Sequence, residues 1–466
     1  VKRVLFILLS LIVLSACTVG RIQVRPPLEN EGTVTLYLQP FSLEASRLTF
    51  TLAEVAAVRD DGQEFPLVLG LQELKGTEMR RQRLLGEGVL PEGSYVGFSV
   101  KVVKATLKSE EGESDLLLED NPTRVNVPFK VTARKASVMF TAFNYKQSII
   151  NEYSFKPAFT MFFPPQVVTA VTGYASIYGT NSITIFDKNA MVAVGAVATR
   201  RGPKGLVVDQ KLRRIYAAIP DEAIVEVIDA TTQEVINTIR LFLGDTPQSL
   251  ALTPDGKTLL TVNAGSNSVS FLDTTSFIEI MRITVGIGPN TVLMDSNGRR
   301  AYVFNTFSNS VSVIDVARRS LITTFSTDAA PLWGQFSSKG DRLYIIFGQS
   351  AYMTVLDPTS LAVSSRVYVG LGANSLKVDS NTDLIYLGKI NETEVAVYDP
   401  FSLLAIDYFA VGEAPAYMTI DGEGNNLWIA GSTTGKLIIV NLASKKVVSE
   451  IDVSAEPFWL TMMGER

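Results

Sequence analysis

The 466-residue chain has no histidine and a single cysteine, Cys17. Without imidazole it cannot build a Ser-His-Asp triad, a Cys-His pair, a His-ligated haem, copper or zinc centre, or a histidine pH switch. A lone cysteine forms no internal disulfide and no Cys-based zinc or iron–sulfur site. No cofactor and no metal site are therefore expected. Runs of one charge are missing too: 42 Lys and Arg against 47 Asp and Glu leave a net charge of -5, with no concentrated basic face for nucleic acid. What the chain does have is a hydrophobic fraction of 46%, which excludes a disordered polymer, and enough length for two or three domains with buried cores.

A spanning helix is missing as well. Val1-Lys2-Arg3 leads into an apolar run from Val4 to Leu14 broken only by Ser10. That is the pattern of a secretory leader, too short to cross a bilayer. Ser15 and Ala16 supply small residues before a cut, and residues 1–16 are expected to leave the mature protein. Leu14-Ser15-Ala16-Cys17 resembles the lipobox of bacterial lipoproteins. The resemblance implies that the Cys17 sulfur takes a diacylglycerol and that Cys17 becomes the new N-terminus. Two or three acyl chains, at about 0.8 kcal/mol per buried methylene, make a durable anchor. Thr18 stands where an aspartate would favour retention at the inner membrane, so the outer membrane is implied where the host has one. Residues 18 to about 32, with Arg21, Arg25, Pro26, Pro27 and Gly32, read as a polar tether.

From about residue 173 the chain repeats itself. Segments of one pattern start at Pro203, Pro247, Pro289, Pro331, Ala373, Pro415 and Pro457, and after a first step of 44 every step is 42 residues. Asp187, Asp229, Asp273, Asp315, Asp357, Asp399 and Asn441 keep the same step, which places a two-residue insertion in Leu243 to Thr246. Within 289–330, Thr291 to Met294, Ala301 to Asn305, Val311 to Ile314 and Leu321 to Phe325 read as four strands, with Asn297-Gly298 and Ser308-Asn309-Ser310 as turns. Four strands in roughly 40 to 45 residues is the period of a β-propeller blade. Six full units run from 203 to 456. Pro457 to Met463 supplies one further strand, and Tyr174 to Thr180, Ile183 to Phe186 and Met191 to Val197 supply three. Joined, they predict a seventh blade and an all-β, seven-bladed propeller over about 170–466, closed by the C-terminal strand so that no edge is left open.

Gly286-Ile-Gly-Pro289, Ser308-Asn-Ser-Val-Ser-Val-Ile-Asp315 and Thr253-Pro-Asp-Gly256 resemble the YVTN-type propeller repeat. The resemblance covers nearly all of the propeller and implies the setting in which that family occurs, bacterial and archaeal surface proteins and the company of some periplasmic oxidoreductases. Residues 33–165 lack the period. Alternating runs at Val34 to Leu38, Leu48 to Leu52, Glu54 to Val58, Tyr95 to Val103 and Ala136 to Phe143, with Asp60-Asp61-Gly62, Pro91 to Ser94 and Glu110 to Ser114 as turns, predict a small β-sandwich of immunoglobulin or transthyretin type. Leu48 to Val58, Leu90 to Tyr95 and Val125 to Phe129 resemble the DUF4382-type domain of bacterial lipoproteins, which implies a small envelope module.

In a propeller the loops joining strands four to one and two to three gather around the mouth of the central channel. The second residue after each repeat start reads Gly205, Ser249, Thr291, Trp333, Ser375, Tyr417 and Trp459. Trp333, Tyr417 and Trp459 are thus candidates to stack on a sugar or grip a partner, or simply to fill the channel. Asp245, Asp328, Glu413 and Glu456 lie just before repeat starts and are candidates for a cation or cationic ligand, although no calcium-loop spacing is present. The Asp/Asn residues closing each third strand suit turn capping. The expectation is a lipid-anchored, monomeric, non-catalytic envelope protein that binds a protein or glycan through the propeller mouth, with no nucleic acid. Two alternatives stay open: an envelope hydrolase using two carboxylates at the mouth, and a structural surface-layer component.

Overall fold

A computed structural model describes residues 25–110, 112–119, 121–423, 425–431 and 433–465. The leader, the lipobox and Cys17 lie outside the described residues. Seven four-stranded sheets follow one another around the propeller. Blade 1 joins Pro457–Met462 to Thr172–Ile177, Ser182–Asp187 and Val192–Ala198. Blades 2 to 7 span 206–240, 247–284, 289–326, 331–368, 373–410 and 415–452. In blade 1 the innermost strand comes from the far end of the chain, antiparallel to its neighbour from Gly173↔Met462 to Ile177↔Pro457.

The repeat residues explain the local geometry. Each third strand ends in or runs directly into an Asp or Asn, whose side-chain oxygen accepts backbone N–H bonds in the turn that follows. Asp229 Oδ1 takes Thr231 N and Thr232 N, both at 2.8 Å, and Asn441 Oδ1 takes Ser444 N at 3.0 Å. Four residues on, Met191, Gln233, Phe277, Arg319, Leu361, Leu403 and Lys445 all adopt positive φ. None is glycine, so seven mildly strained αL positions are held by the capped turn. A one-residue register shift between strands three and four recurs in every blade, at Val313/Ile314 for instance, and sharpens the twist. Apolar alternation does the rest: Tyr302, Phe304, Val311 and Val313 of blade 4 pack against Leu343, Ile345 and Phe347 of blade 5.

Closure is apolar and ionic. Trp428 of blade 7 stacks on Phe186 of blade 1 with ring centroids 4.7 Å apart. Behind it, fully buried Lys188 of blade 1 donates to Asp421 Oδ1 of blade 7 at 3.1 Å and to the Met463 carbonyl at 2.6 Å.

The N-terminal unit is a β-sandwich. One sheet has the order Phe159–Phe162, Ala136–Phe143, Glu31–Leu38, Arg83–Pro91, Val68–Leu69. The other has Thr123–Val131, Gly93–Ser109, Leu48–Arg59, Glu64–Pro66, with Glu73–Lys75 and Gly112–Asp115 at its sides. Leu36, Phe50, Phe98 and Val100 fill the space between them. Three details depart from the sequence reading. Leu48 to Leu52 and Glu54 to Val58 are one strand, interrupted by a bulge at Ala53 that breaks the alternation. Glu110 to Ser114 does not only turn: Gly112–Asp115 pairs back as a hairpin arm with every residue exposed. Arg83–Pro91 is a strand that Gly86 and Gly88 disguise; a Cβ on Gly88 would meet Leu67 Cδ2 at 2.5 Å, so that side chain would have to move.

The sandwich lies against the flank of the propeller, not its mouth. Tyr37, Val138 and Phe140 share an apolar cluster with Ala193, Val194 and Ile451 of blades 1 and 7. Gln82 turns its amide into a strand partner for the outer edge of blade 1, accepting from Ala193 N at 2.9 Å and donating to Ala193 O at 3.2 Å. Asp452 of blade 7 receives Arg81 at 2.8 Å and Arg83 at 2.7 Å. Burial works to raise its pKa, but the two guanidiniums outweigh burial and hold the carboxyl below the usual range. The described part of the expected tether is docked as well: Arg25 N donates to Gly179 O at 3.2 Å, Asn181 Nδ2 donates to Arg25 O at 2.7 Å, and Arg25 pairs with Glu87.

Candidate functional site

The innermost strand of each blade presents alternate side chains to the channel, so one repeat position becomes a ring. At the second position three large aromatics meet. Tyr417 and Trp459 stack at 4.5 Å and 27°, while Trp333 sets its edge to Trp459 at 5.0 Å and to Tyr417 at 5.5 Å. Trp333 belongs to blade 5 and Trp459 to blade 1, so their contact crosses the channel. The cluster is both channel filling and floor. Trp459 is 7% exposed, Trp333 and Tyr417 are half-buried, and all three line an open cavity of about 920 Å³. Burial, and beyond it the Glu465 carboxylate, hold the Tyr417 phenol well above its ordinary range.

The walls come from a ring one residue earlier that sequence reasoning passed over: Lys204, Gln248, Asn290, Leu332, Asn374 and Phe458 among its members. These residues begin strands whose apolar alternation hides a channel-facing polar position; the recurrence of amides across three blades was the available signal. Lys204 Nζ donates to Gln248 Oε1 at 2.8 Å and lies 5.4 and 5.2 Å from the ring centres of Tyr178 and Phe458. Burial lowers the pKa of its ammonium, against the pull of Asp221. Tyr178 and Asp221 come from loops between second and third strands and Arg201 from a loop between fourth and first strands, which fixes the opening on the expected face.

The four acidic candidates do not come together there. Asp245 is buried under Arg282, which reaches its two oxygens at 2.8 and 2.6 Å. Burial alone would raise its pKa, but the guanidinium bonds hold the carboxyl below the usual range. Asp328 accepts from Ser350 Oγ at 2.8 Å and pairs with Arg366. Glu413 accepts backbone and hydroxyl bonds from Thr433 and Thr434. Each of the three fastens its own blade, because a short acid before the first strand lies within reach of donors on that sheet. Only Glu456 lines the cavity, with Asp221, which Arg201 approaches at 3.5 Å. Among the described residues no group of three or more Asp, Glu, Cys or His side chains is placed to hold a metal ion. The arrangement offers ring faces below and amide, ammonium and carboxylate groups at the sides. Those are the groups by which a cavity can stack on a flat ring and hydrogen-bond its polar substituents.

The model of the YNCE-like beta-propeller family matches residues 149–381, half of the chain. The protein belongs to that family. Its propeller is similar to solved structures at low identity. Hydrazine synthase of Kuenenia stuttgartiensis aligns with TM-score 0.52 and 17% identity over 63% of this chain and 95% of that one. The dihydro-heme d1 dehydrogenase NirN in complex with DHE aligns with TM-score 0.51 and 13% identity over 65% and 77%. A functionally unknown protein from Desulfotomaculum acetoxidans aligns with TM-score 0.56 and 13% identity over 62% and 98%. At such identities the likeness shows the fold alone. A search of the curated proteins finds no match.

Proposed function

We propose that this is a lipid-anchored cell-envelope protein that binds a ring-bearing polar ligand, a glycan unit by preference, in the propeller cup without transforming it. The observation that carries the reading is the cavity of about 920 Å³ with a three-ring floor and amide-bearing walls. Stacking on aromatic faces with side-chain amides at the rim suits a sugar ring, and a concave cup suits a small ligand or chain end more than a flat protein epitope. The lipobox-like Leu14 to Cys17 supports the anchor and the outer-membrane location, the repeat motifs support a YVTN-type propeller, and the match of the front segment to the DUF4382 pattern fits a lipoprotein module. A hydrolase would need two free carboxylates at catalytic separation, whereas Asp221 is engaged by Arg201.

Two of the three tryptophans sit in the floor, so intrinsic fluorescence reads the site directly. Titration with envelope glycan fragments is expected to shift and quench the emission saturably, and Trp333→Ala or Tyr417→Ala to weaken binding at least about tenfold, in line with the loss of a buried aromatic contact. Saturable binding that both variants retain would overturn the site. Turnover of the bound glycan would replace the binding reading with the hydrolytic one.

A further inference from the structure

We propose that the mouth face of the propeller lies against the lipid bilayer, with its apolar loop tips in the interfacial layer. The proposal rests on the lipid-anchor reading of Cys17 for its geometry and on the exposed loops for its chemistry. Arg25, the first described residue, is bonded to Gly179 and Asn181 in the loop between the second and third strands of blade 1. That loop belongs to the mouth face and adjoins Tyr178 of the cavity wall. Seven residues lie between Cys17 and Arg25, and the eight Cα steps that join them reach at most about 28 Å even fully extended. An anchor at Cys17 therefore enters the bilayer within that reach of the blade 1 loop, from the mouth side of the propeller.

The same face carries large apolar side chains in water. Leu243 is fully exposed, Phe307 is 79% and Leu371 70% exposed, and Phe242, Ile287 and Ile390 are more than half exposed. All six lie in loops joining strands four to one or two to three, from blade 2 round to blade 6. They are held in pairs: Phe307 N donates to Ile287 O at 3.1 Å, and Ile390 N donates to Gly372 O beside Leu371 at 2.9 Å. The two-residue insertion of the repeat lies in this set, and it lifts Leu243 clear of the surface. The opposite loops mix exposed charge of both signs, including Lys211, Arg213, Asp255, Lys257, Arg318 and Lys339, with exposed Leu212, Phe401 and Leu404. Loop tips with Phe, Leu and Ile next to a short anchored chain match the apolar headgroup–acyl boundary, and the chain's exit on this face, not apolar exposure alone, separates it from the opposite one.

Since Cys17 is the only native cysteine, single substitutions report position. Full-length Leu243→Cys, Phe307→Cys and Leu371→Cys, with Leu212→Cys and Phe401→Cys on the opposite face, are labelled with a polarity-sensitive fluorophore and reconstituted into phosphatidylethanolamine and phosphatidylglycerol vesicles. The expected result is a blue shift and severalfold stronger quenching by lipid-borne quenchers at the three mouth positions. Equal quenching on both faces, or stronger quenching at 212 and 401, overturns the proposal. Mass measurement of the N-terminal peptide tests the anchor separately. If Cys17 carries no lipid, the anchor reading falls, and the same positions, labelled in a Cys17→Ser background, are mixed with preformed vesicles: a blue shift confined to the mouth labels upholds the face, and no shift at all overturns it.

Discussion

The propeller and the sandwich are both two-residue-alternation β structures, yet they record their folds in different ways. In the propeller each structural position is written seven times, so departures from the repeat stand out. Blades 3 and 4 place Asn263 and Asn305 against Ser270 and Ser312 at 2.8 and 3.0 Å. Blade 2 has Ile219 and Glu226 at the equivalent places, and Glu226 is 2% exposed, with the Arg200 backbone N–H at 3.3 and 3.4 Å from its oxygens and the Arg200 guanidinium at 3.9 Å. In the sandwich each position is written once, and its strongest commitment, the embrace of blades 1 and 7, uses residues with no motif. A repeat makes deviation visible; a single copy offers nothing to compare its residues with.

The largest test of the contrast removes the strand that makes the repeat a circle. Deleting residues 457–466 takes away a full inner strand, Trp459, Leu460 and Met462 among its buried side chains, and one of the two acceptors of Lys188, the Met463 carbonyl. The expected result is loss of a cooperative thermal transition, on the order of a whole domain's stability of about 5–15 kcal/mol. A truncated protein that melts like the parent would show that blade 1 does not need its borrowed strand. Next, Lys188→Met removes the buried ammonium that faces the Asp421 carboxylate, which keeps its bond from Glu423 N, at a cost of about 3–5 kcal/mol by chemical denaturation, and Lys188→Met with Asp421→Leu should recover part of it.

A smaller effect, opposite in sign, is expected at Glu226. Burial, against the Arg200 backbone bond, pushes its carboxyl up to about 7 from an ordinary 4.5. Because the folded pKa is the higher, stability is full below about pH 4.5 and declines as pH rises to about 7, by roughly 3 kcal/mol at most. Glu226→Gln should flatten that decline and exceed the parent in stability at pH 8; unchanged pH dependence in the variant would refute the assignment. Smallest is the interface: Asp452→Asn weakens the hold on Arg81 and Arg83 by about 2 kcal/mol. It should raise protease sensitivity between residues 162 and 172 while leaving the propeller transition in place.

Much of this architecture was readable in advance for a physical reason. Proline at the start of the inner strand, a closing Asp and a fixed step of 42 residues each mark a backbone event, and seven copies average away noise. What escaped reading escaped for equally physical reasons. The αL residues at the outer turns are Met, Gln, Phe, Arg, Leu and Lys, with no glycine to announce them. Ala53 hides a bulge inside an alternating run. Of the candidate site residues, the aromatics met because first strands point inward to one axis. Asp245, Asp328 and Glu413 did not meet because each found a donor within its own blade, which is a property of side-chain reach that repeat position cannot express. Gln82, Arg81 and Arg83 carried no signal, since their partners lie more than a hundred residues away.

The contact of Trp333 with Trp459 across the axis has a kinetic meaning. It turns a tube into a blind well, so arrival and departure share one doorway and a bound molecule cannot be handed through to the far side. With that doorway pressed to a membrane, occupancy would follow molecules per unit area of the sheet, not molecules per litre of surrounding fluid.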